Sequence, residues 1–121
     1  MFLVTTNREK RLLHMSFIGH VTAEELEQGG KDLVALLADF PANLHLLADL
    51  ERLQFMGEDC VEQLGKNMEL LDRHGVELVV RVISDPTKDI GLSILTVFHY
   101  RNPPRTVICK TMEEAARVLS L

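Results

Sequence analysis

Cysteine, basic residues and long apolar runs are scarce in this sequence, and each shortage narrows what the chain can be. The two cysteines, Cys60 and Cys109, lie far apart and match neither a CxxC motif nor a zinc-binding spacing. We therefore expect two free thiols in a reducing compartment rather than a disulfide. No uncharged apolar run approaches the roughly 20 residues of a membrane span, and the N-terminus lacks the pattern of a signal peptide. These absences predict a cytoplasmic protein without a membrane span.

The charge balance is acidic. The chain has 13 Lys and Arg against 18 Asp and Glu, which gives a net charge of −5. Because nonspecific nucleic-acid binding relies on basic groups that neutralise phosphates, we expect no nucleic-acid partner. A hydrophobic content of 46% over 121 residues fits one compact domain, residues 1–121, with a core of its own.

Motifs for catalysis or metal binding are also missing. The histidines are scattered without an HxH, HxxxH or other metal-binding spacing: His14, His20, His45, His74 and His99. No GxSxG motif occurs, and Gly29-Gly30 lacks the Lys-Ser/Thr of a phosphate loop. Asp85 and Asp89 fit helix capping better than cation binding. We therefore expect no catalytic residue, no metal and no cofactor, and a protein that is not an enzyme.

Hydrophobic periodicity and turn signals predict an α/β domain with the element order β-β-α-β-α-β-α-β-α. The predicted strands span residues 2–6, 12–19, 44–50, 76–83 and 106–109, and the helices begin near residues 22, 57, 90 and 111. An N-terminal hairpin followed by parallel βαβ units gives a mixed sheet of about five strands with about four helices. Inside the first helix, Gly29-Gly30 should cost about 1 kcal/mol per glycine, which indicates close packing or a kink.

Residues 44–60 carry the clearest functional signal. An apolar strand ends at Asp49-Leu50, a short link carries Leu53, Phe55 and Met56, and a helix begins near Gly57-Glu58. Strand-to-helix turns of α/β domains often hold ligand contacts, because amides and the positive end of the helix dipole meet there. This turn holds two acids and no nucleophile or glycine-rich cradle. The pattern favours a binding or regulatory module over an enzyme.

Three segments, taken in order, resemble the STAS domain, the SpoIIAA-like (anti-sigma-factor antagonist) family. Ala48-Asp49-Leu50 with Leu53 and Phe55-Met56 is similar to the family's strand exit. The apolar strand ending at Ile83 stands where the family has its fourth strand, and residues 110–119 resemble its terminal helix. The resemblance covers nearly the whole chain. It implies a STAS-like α/β fold and a regulatory domain that acts by binding a protein partner.

One departure from the family pattern concerns its phosphorylation switch. After the strand exit the family has Asp-Ser-Ser-Gly, whose first Ser is phosphorylated by a partner kinase, whereas this chain has Gly57-Glu58-Asp59-Cys60. Glu58 falls on the phosphorylated position, and residues 53–60 contain no hydroxyl. Glu58 is then either an ordinary first-turn acid, which is the better-supported interpretation, or a permanent substitute for the phosphate charge.

A partner-binding surface is predicted where the Phe55–Cys60 and Asp85–Gly91 turns leave parallel strands. If both turns lie at one end of the sheet, acidic residues surround an exposed apolar pair and suit a basic protein surface. The predicted surface comprises Phe55, Met56, Gly57, Glu58, Asp59, Asp85 and Asp89. The competing interpretation, which we weigh equally, is a set of unrelated helix-capping acids.

Arg81 is a lone cation in an apolar strand, so we expect it to be buried and paired. Asp49 is the first candidate for a structural ion pair, since an unpaired buried charge is very costly. An anion site built on His45, Asp49 and Arg81 is the less favoured alternative.

A second function is also open from the sequence. Met68, Leu92, Leu95 and Phe98, together with Val97, are positioned to line a pocket beneath the short third helix. Such a pocket predicts a small apolar or lipid-like ligand. The leading interpretation, a regulatory domain that binds a protein partner, also includes self-association as a homodimer.

Overall fold

The computed structural model describes residues 1–85 and 89–121, and of residues 89 and 90 the backbone only. In this part of the chain seven strands and four α-helices form. The strands are β1 Phe2–Asn7, β2 Leu12–Phe17, β3 Gly19–Val21, β4 Leu44–Asp49, β5 Leu53–Met56, β6 Val76–Val82 and β7 Arg105–Cys109. The helices are α1 Ala23–Leu37, α2 Val61–His74, α3 Asp89–His99 and α4 Met112–Leu119, and a 3₁₀ turn at Glu58–Cys60 precedes α2.

Five of the strands form a mixed sheet in the order β1-β2-β4-β6-β7. The β1–β2 hairpin is antiparallel, and each later neighbour is parallel. The sheet and the four helices confirm the predicted fold class. The sequence did not predict a second, two-stranded parallel ladder of β3 and β5. These strands have three and four residues, too few to show a period of two.

The two faces of the sheet carry separate cores. On one face, Leu46 and Val79 of the central strands pack with residues of α1 and α2, and α3 adds partly buried leucines. On the other face, Val80 and Val82 pack with α4. Because successive strand residues point to opposite faces, the apolar run of β6 supplies both cores.

The glycine pair of α1 is explained by close packing. A Cβ at Gly29 would overlap the Phe2 ring, and a Cβ at Gly30 would lie 2.6 Å from Asn67 Oδ1 on α2. Asn67 is buried and donates to the Leu26 carbonyl across the α1–α2 contact. The pair therefore lets α1 approach β1 and α2. Of the two alternatives predicted for the glycines, close packing is the one observed. A Thr22–Glu25 capping box begins this helix.

Both cysteines are free thiols, as predicted. Cys60 lies in the core beneath α1 and α2, while Cys109 lies in the core beneath α4. Burial raises the pKa of each thiol, and at Cys60 the neighbouring Asp59 carboxylate adds to the shift. Both groups are therefore poor nucleophiles in the folded protein.

Within the described residues, no helix combines the length and the apolar character that crossing a membrane would require.

Substituting Gly29 tests the packing of α1. Gly29→Ala should lower the free energy of unfolding by about 1–3 kcal/mol, because an extra methyl in a filled contact forces neighbours apart. Gly91→Ala in α3 is the matched control, since its Cβ position has no heavy atom within 4 Å. The control should gain up to about 1 kcal/mol from helix propensity. Urea denaturation of both variants checks the pair, and equal stabilisation by both would contradict the prediction.

Candidate functional site

The two predicted turns begin at the same edge of the sheet. Strands β4 and β6 are parallel neighbours in which Asp49 pairs with Val82, and the Leu50 amide donates to the Val82 carbonyl at 2.9 Å. The chain leaving β4 and the chain leaving β6 therefore start side by side. This edge, at the carboxyl ends of the parallel strands, is where open α/β sheets bind ligands.

The link after β4 is a strand that leaves Phe55 in solvent. β5 pairs with β3, and the Phe55 ring lies edge-on to His20 with ring centroids 4.9 Å apart. The side chain of Phe55 is 57% exposed, whereas Met56 is half-buried against the main core. The ladder thus fixes the backbone that presents Phe55 outward.

The acidic turn follows directly. Gly57 is extended, the 3₁₀ turn starts at Glu58, and α2 continues from Val61. Cys60 anchors the turn, because its buried Sγ lies 3.6 Å from the Val21 carbonyl. Glu58 and Asp59 are both exposed. Helical structure therefore begins where the sequence predicted it, with both carboxylates near the positive end of the helix dipole.

Asp85 lies exposed just beyond β6, and α3 begins at Asp89. The side chain of Asp89 and residues 86–88 of the predicted turn lie outside the described residues. A surface depression nevertheless joins the two turns: it is lined by Phe55 and Met56 on one side and by Ile83 and Leu92 on the other. The structure thus brings the apolar pair of the first turn against the end of β6 and the start of α3.

The predicted Asp49–Arg81 ion pair is wrong. In the β4–β6 register Arg81 pairs with Ala48, so its side chain lies on the face covered by α2 and α3. Asp49 pairs with Val82 and lies on the opposite face, where it accepts a hydrogen bond from the Glu51 amide at 3.0 Å. His45 shares that opposite face and contacts Glu77 at 3.0 Å. The alternative anion site built on these three residues is therefore wrong as well.

Arg81 is buried, as predicted, and it links the sheet to α3. Its side chain is 6% exposed, and its Nη atoms donate to Ser93 Oγ at 3.3 Å and Thr96 Oγ1 at 3.5 Å. Tyr100, just after α3, lies in the same region, and burial raises the pKa of its hydroxyl. The hydrogen bonds from Arg81 on β6 to Ser93 and Thr96 hold α3 over the sheet face to which the Arg81 side chain points.

A cavity of about 60 Å³ lies beneath α2 and α3, beside Arg81. Sites for drug-sized ligands have volumes of about 300–1,000 Å³, so this cavity as it stands admits only a few atoms. Of the predicted pocket residues, Met68 and Leu92 line it. Leu95 lines a surface groove instead, and Phe98 points to solvent. The pocket prediction is therefore wrong for Phe98, whereas Leu95 packs on the core and lines the groove together with Leu92.

The outer face of α3 is a feature that sequence reasoning missed. Ile94, Val97 and Phe98 are 52%, 74% and 78% exposed, although the last two were assigned to the interior. The spacing i, i+3, i+4 gave the signal, because Leu92, Leu95 and Thr96 form a separate inward stripe. A short helix that is apolar on both faces can bury only one of them in its own domain.

The histidines take part in local contacts. His99 on α3 bonds Glu69 on α2 at 2.7 Å, His14 contacts Ser16, and His74 contacts the Pro41 carbonyl. In residues 1–85 and 89–121, no three His, Cys, Asp or Glu side chains are grouped so that they could hold a metal ion.

No protein-family model and no curated protein sequence matches the chain. Solved structures do match it. A DUF3478-family protein from Shewanella loihica PV-4, described with a SpoIIAA-like fold, aligns with a TM-score of 0.73 at 16% identity over 98% of this chain and 92% of that one. The chain has a SpoIIAA-like fold.

Two further SpoIIAA-like structures support the assignment. The anti-sigma factor antagonist SpoIIAA in its unphosphorylated form aligns with a TM-score of 0.66 at 17% identity, over 99% of this chain and 98% of that one. An anti-sigma factor antagonist from Mycobacterium paratuberculosis aligns with a TM-score of 0.58 at 18% identity, over 100% and 94%. At these low identities the structural alignments show a shared fold, and they confirm the resemblance predicted from the three sequence segments.

Substituting Arg81 tests its role in holding α3 within this SpoIIAA-like fold. Arg81→Ala should lower the free energy of unfolding by about 2–5 kcal/mol, the range for truncating a long buried side chain to Ala. Arg81→Met keeps most of the volume but removes the hydrogen bonds to Ser93 and Thr96. Hydrogen exchange should show faster exchange of α3 amides in both variants, and unchanged amides in the exposed control Arg105→Ala. Unchanged α3 protection in Arg81→Met would assign the role to packing alone.

Proposed function

We propose that the chain is a non-catalytic regulatory module that binds a protein partner through its acidic turn edge. The edge comprises Phe55, Met56, Gly57, Glu58, Asp59 and Asp85, and the proposal includes Asp89 as the residue that begins α3. The fold supports the proposal, because two proteins that share it are anti-sigma factor antagonists.

The observation that carries the proposal is the exposure of Phe55 beside two acids. The β3–β5 ladder holds the ring in solvent with 57% of its surface exposed. Aromatic side chains are enriched among the residues that supply most binding energy at protein interfaces. Glu58 and Asp59 next to it would steer a basic partner surface during encounter. The helix dipole favours acids in the first turn, but no side-chain capping hydrogen bond begins the 3₁₀ turn or α2. Neither effect explains the exposed Phe55 ring beside His20.

The proposed module is not regulated by the serine phosphorylation that is usual in the family it resembles. Residues 53–60 contain no Ser or Thr, and the exposed Glu58 lies at the start of the 3₁₀ turn.

Charge reversal tests the proposed edge. A photo-crosslinking residue at position 55 first captures the partner in cells that naturally make the chain, and the purified pair is then studied by stopped-flow. Glu58→Lys/Asp59→Lys should lower the association rate about tenfold or more and weaken its dependence on salt, because attraction to a basic surface is lost.

The matched control is Glu9→Lys/Glu77→Lys, which makes the same change in net charge at the opposite edge of the sheet. Both double variants are checked for fold by circular dichroism. Equal association rates for the two variants would place the interaction surface elsewhere on the molecule.

Phosphopeptide mapping tests the absence of the switch. The chain isolated from its native cells should carry no phosphate in residues 53–60, whereas a Glu58→Ser variant restores a hydroxyl at the family's phosphorylated position. Phosphate on Glu58→Ser alone would show that the partner kinase is present and that the natural chain is insensitive to it. Phosphate within residues 53–60 of the natural chain would refute the proposal.

A further inference from the structure

Helix α3 presents an apolar stripe that its own domain leaves uncovered. Ile94, Val97 and Phe98 follow one face of the helix at the spacing i, i+3, i+4, and each is more than half exposed. The opposite face, with Leu92 and Leu95, packs on the core that the sheet forms with α1 and α2. The stripe is therefore additional to what the fold needs for its stability.

The stripe borders a surface groove between α3 and the start of α2. Ile94 and Leu95 form one wall, and Met56, Gly57 and Val61 form the other. Val61 is itself 45% exposed, and nothing lies within 4 Å of the position that a Gly91 Cβ would occupy. Ile94 belongs to both the groove and the exposed stripe. We call the groove, together with the adjoining Val97 and Phe98 of the stripe, the α3 groove.

Acidic side chains flank the α3 groove. Glu58 lines it directly, while Asp59 and Glu62 are exposed on the neighbouring turn and on α2. Lys66, one turn further along α2, is paired with Glu62 at 3.4 Å, so it offsets one of these charges. Glu58 and Asp59 leave the rim negative.

We propose that the α3 groove binds an amphipathic helix of a protein partner, with an apolar face on Ile94, Val97 and Phe98 and basic residues opposite Glu58 and Asp59. The inference rests on the proposed function, whose acidic edge it shares. Grooves between helices accept amphipathic helices through anchors spaced by three and four residues. The apolar contacts supply binding energy, and the acidic rim selects for basic flanks.

The same charges argue against two other occupants. An anionic membrane surface would be repelled by Glu58 and Asp59, since such surfaces attract basic segments. A second copy of this chain has a net charge of −5, so the long-range electrostatic interaction between two copies is repulsive. The rim therefore favours a basic protein segment.

A peptide of defined chemistry tests the groove without knowledge of the natural partner. The probe is a fluorescent 18-residue Leu/Lys peptide with its leucines on one helical face. The first control has the same composition in scrambled order, and the second replaces each Lys by Glu. The chain should bind the probe at least tenfold more tightly than either control, with affinity that falls as salt rises. Equal binding of the scrambled peptide would overturn the proposal.

Variants locate the binding on the protein. Val97→Ser/Phe98→Ser should weaken probe binding at least tenfold, while Leu3→Ser/Val34→Ser, which removes two exposed apolar side chains on β1 and α1, should leave it unchanged. Glu58→Lys/Asp59→Lys should weaken binding severalfold and flatten its salt dependence. Amide shift mapping on the unmodified chain provides a second readout that needs no variant. Shifts centred outside residues 56–64 and α3 would overturn the groove assignment.

Vesicles provide the remaining outcome. Binding to phosphatidylcholine/phosphatidylglycerol vesicles that is lost in Val97→Ser/Phe98→Ser, together with no preference for the amphipathic probe, would assign the stripe to a membrane and refute the proposal.

The experiments also distinguish failure of the groove proposal from failure of the proposed function. If the crosslinked partner still depends on Glu58 and Asp59 but not on Val97 and Phe98, the regulatory edge stands and the groove does not.

Discussion

Parallel pairing of β4 with β6 is the constraint on which the rest of this structure depends. It brings the carboxyl ends of two central strands to one edge, so the chain leaving β4 and the chain leaving β6 start as neighbours. The acidic turn, the exposed Phe55 and the start of α3 all follow from that placement. A different partner for β4 would separate these features and remove the groove between α2 and α3.

Helix α3 is held over the sheet by two kinds of interaction. Leu92 and Leu95 add to the core, while Arg81 reaches from β6 to hydroxyls on the helix. The contacts of Arg81 with Ser93 and Thr96 are directional, so they constrain where α3 lies over the sheet. That position leaves Ile94, Val97 and Phe98 outside, where a further partner can cover them.

The predictions from sequence succeeded where periodicity or local chemistry was decisive. Capping residues located the start of α1, and the continuous apolar run of β6 indicated a central strand. The ion pair failed for a specific reason: strand parity shows that His45 and Asp49 share a face, but only the register shows that Arg81 pairs with Ala48. The prediction for Phe98 failed because the spacing separates two stripes on α3, but both contain large apolar residues, and the sequence does not show which of the two turns inward.

Four features could be predicted from the amino-acid sequence alone: the fold class, the positions of the main helices and strands, the free thiols and the acidic turn without a hydroxyl. Local propensity, hydrophobic period and residue identity are properties of short segments, so they can be read from the chain alone. The tertiary structure decided the β3–β5 ladder, the true contacts of Arg81, the small cavity and the outward face of α3. Each depends on strand register or helix orientation, which are set by packing between segments distant in sequence.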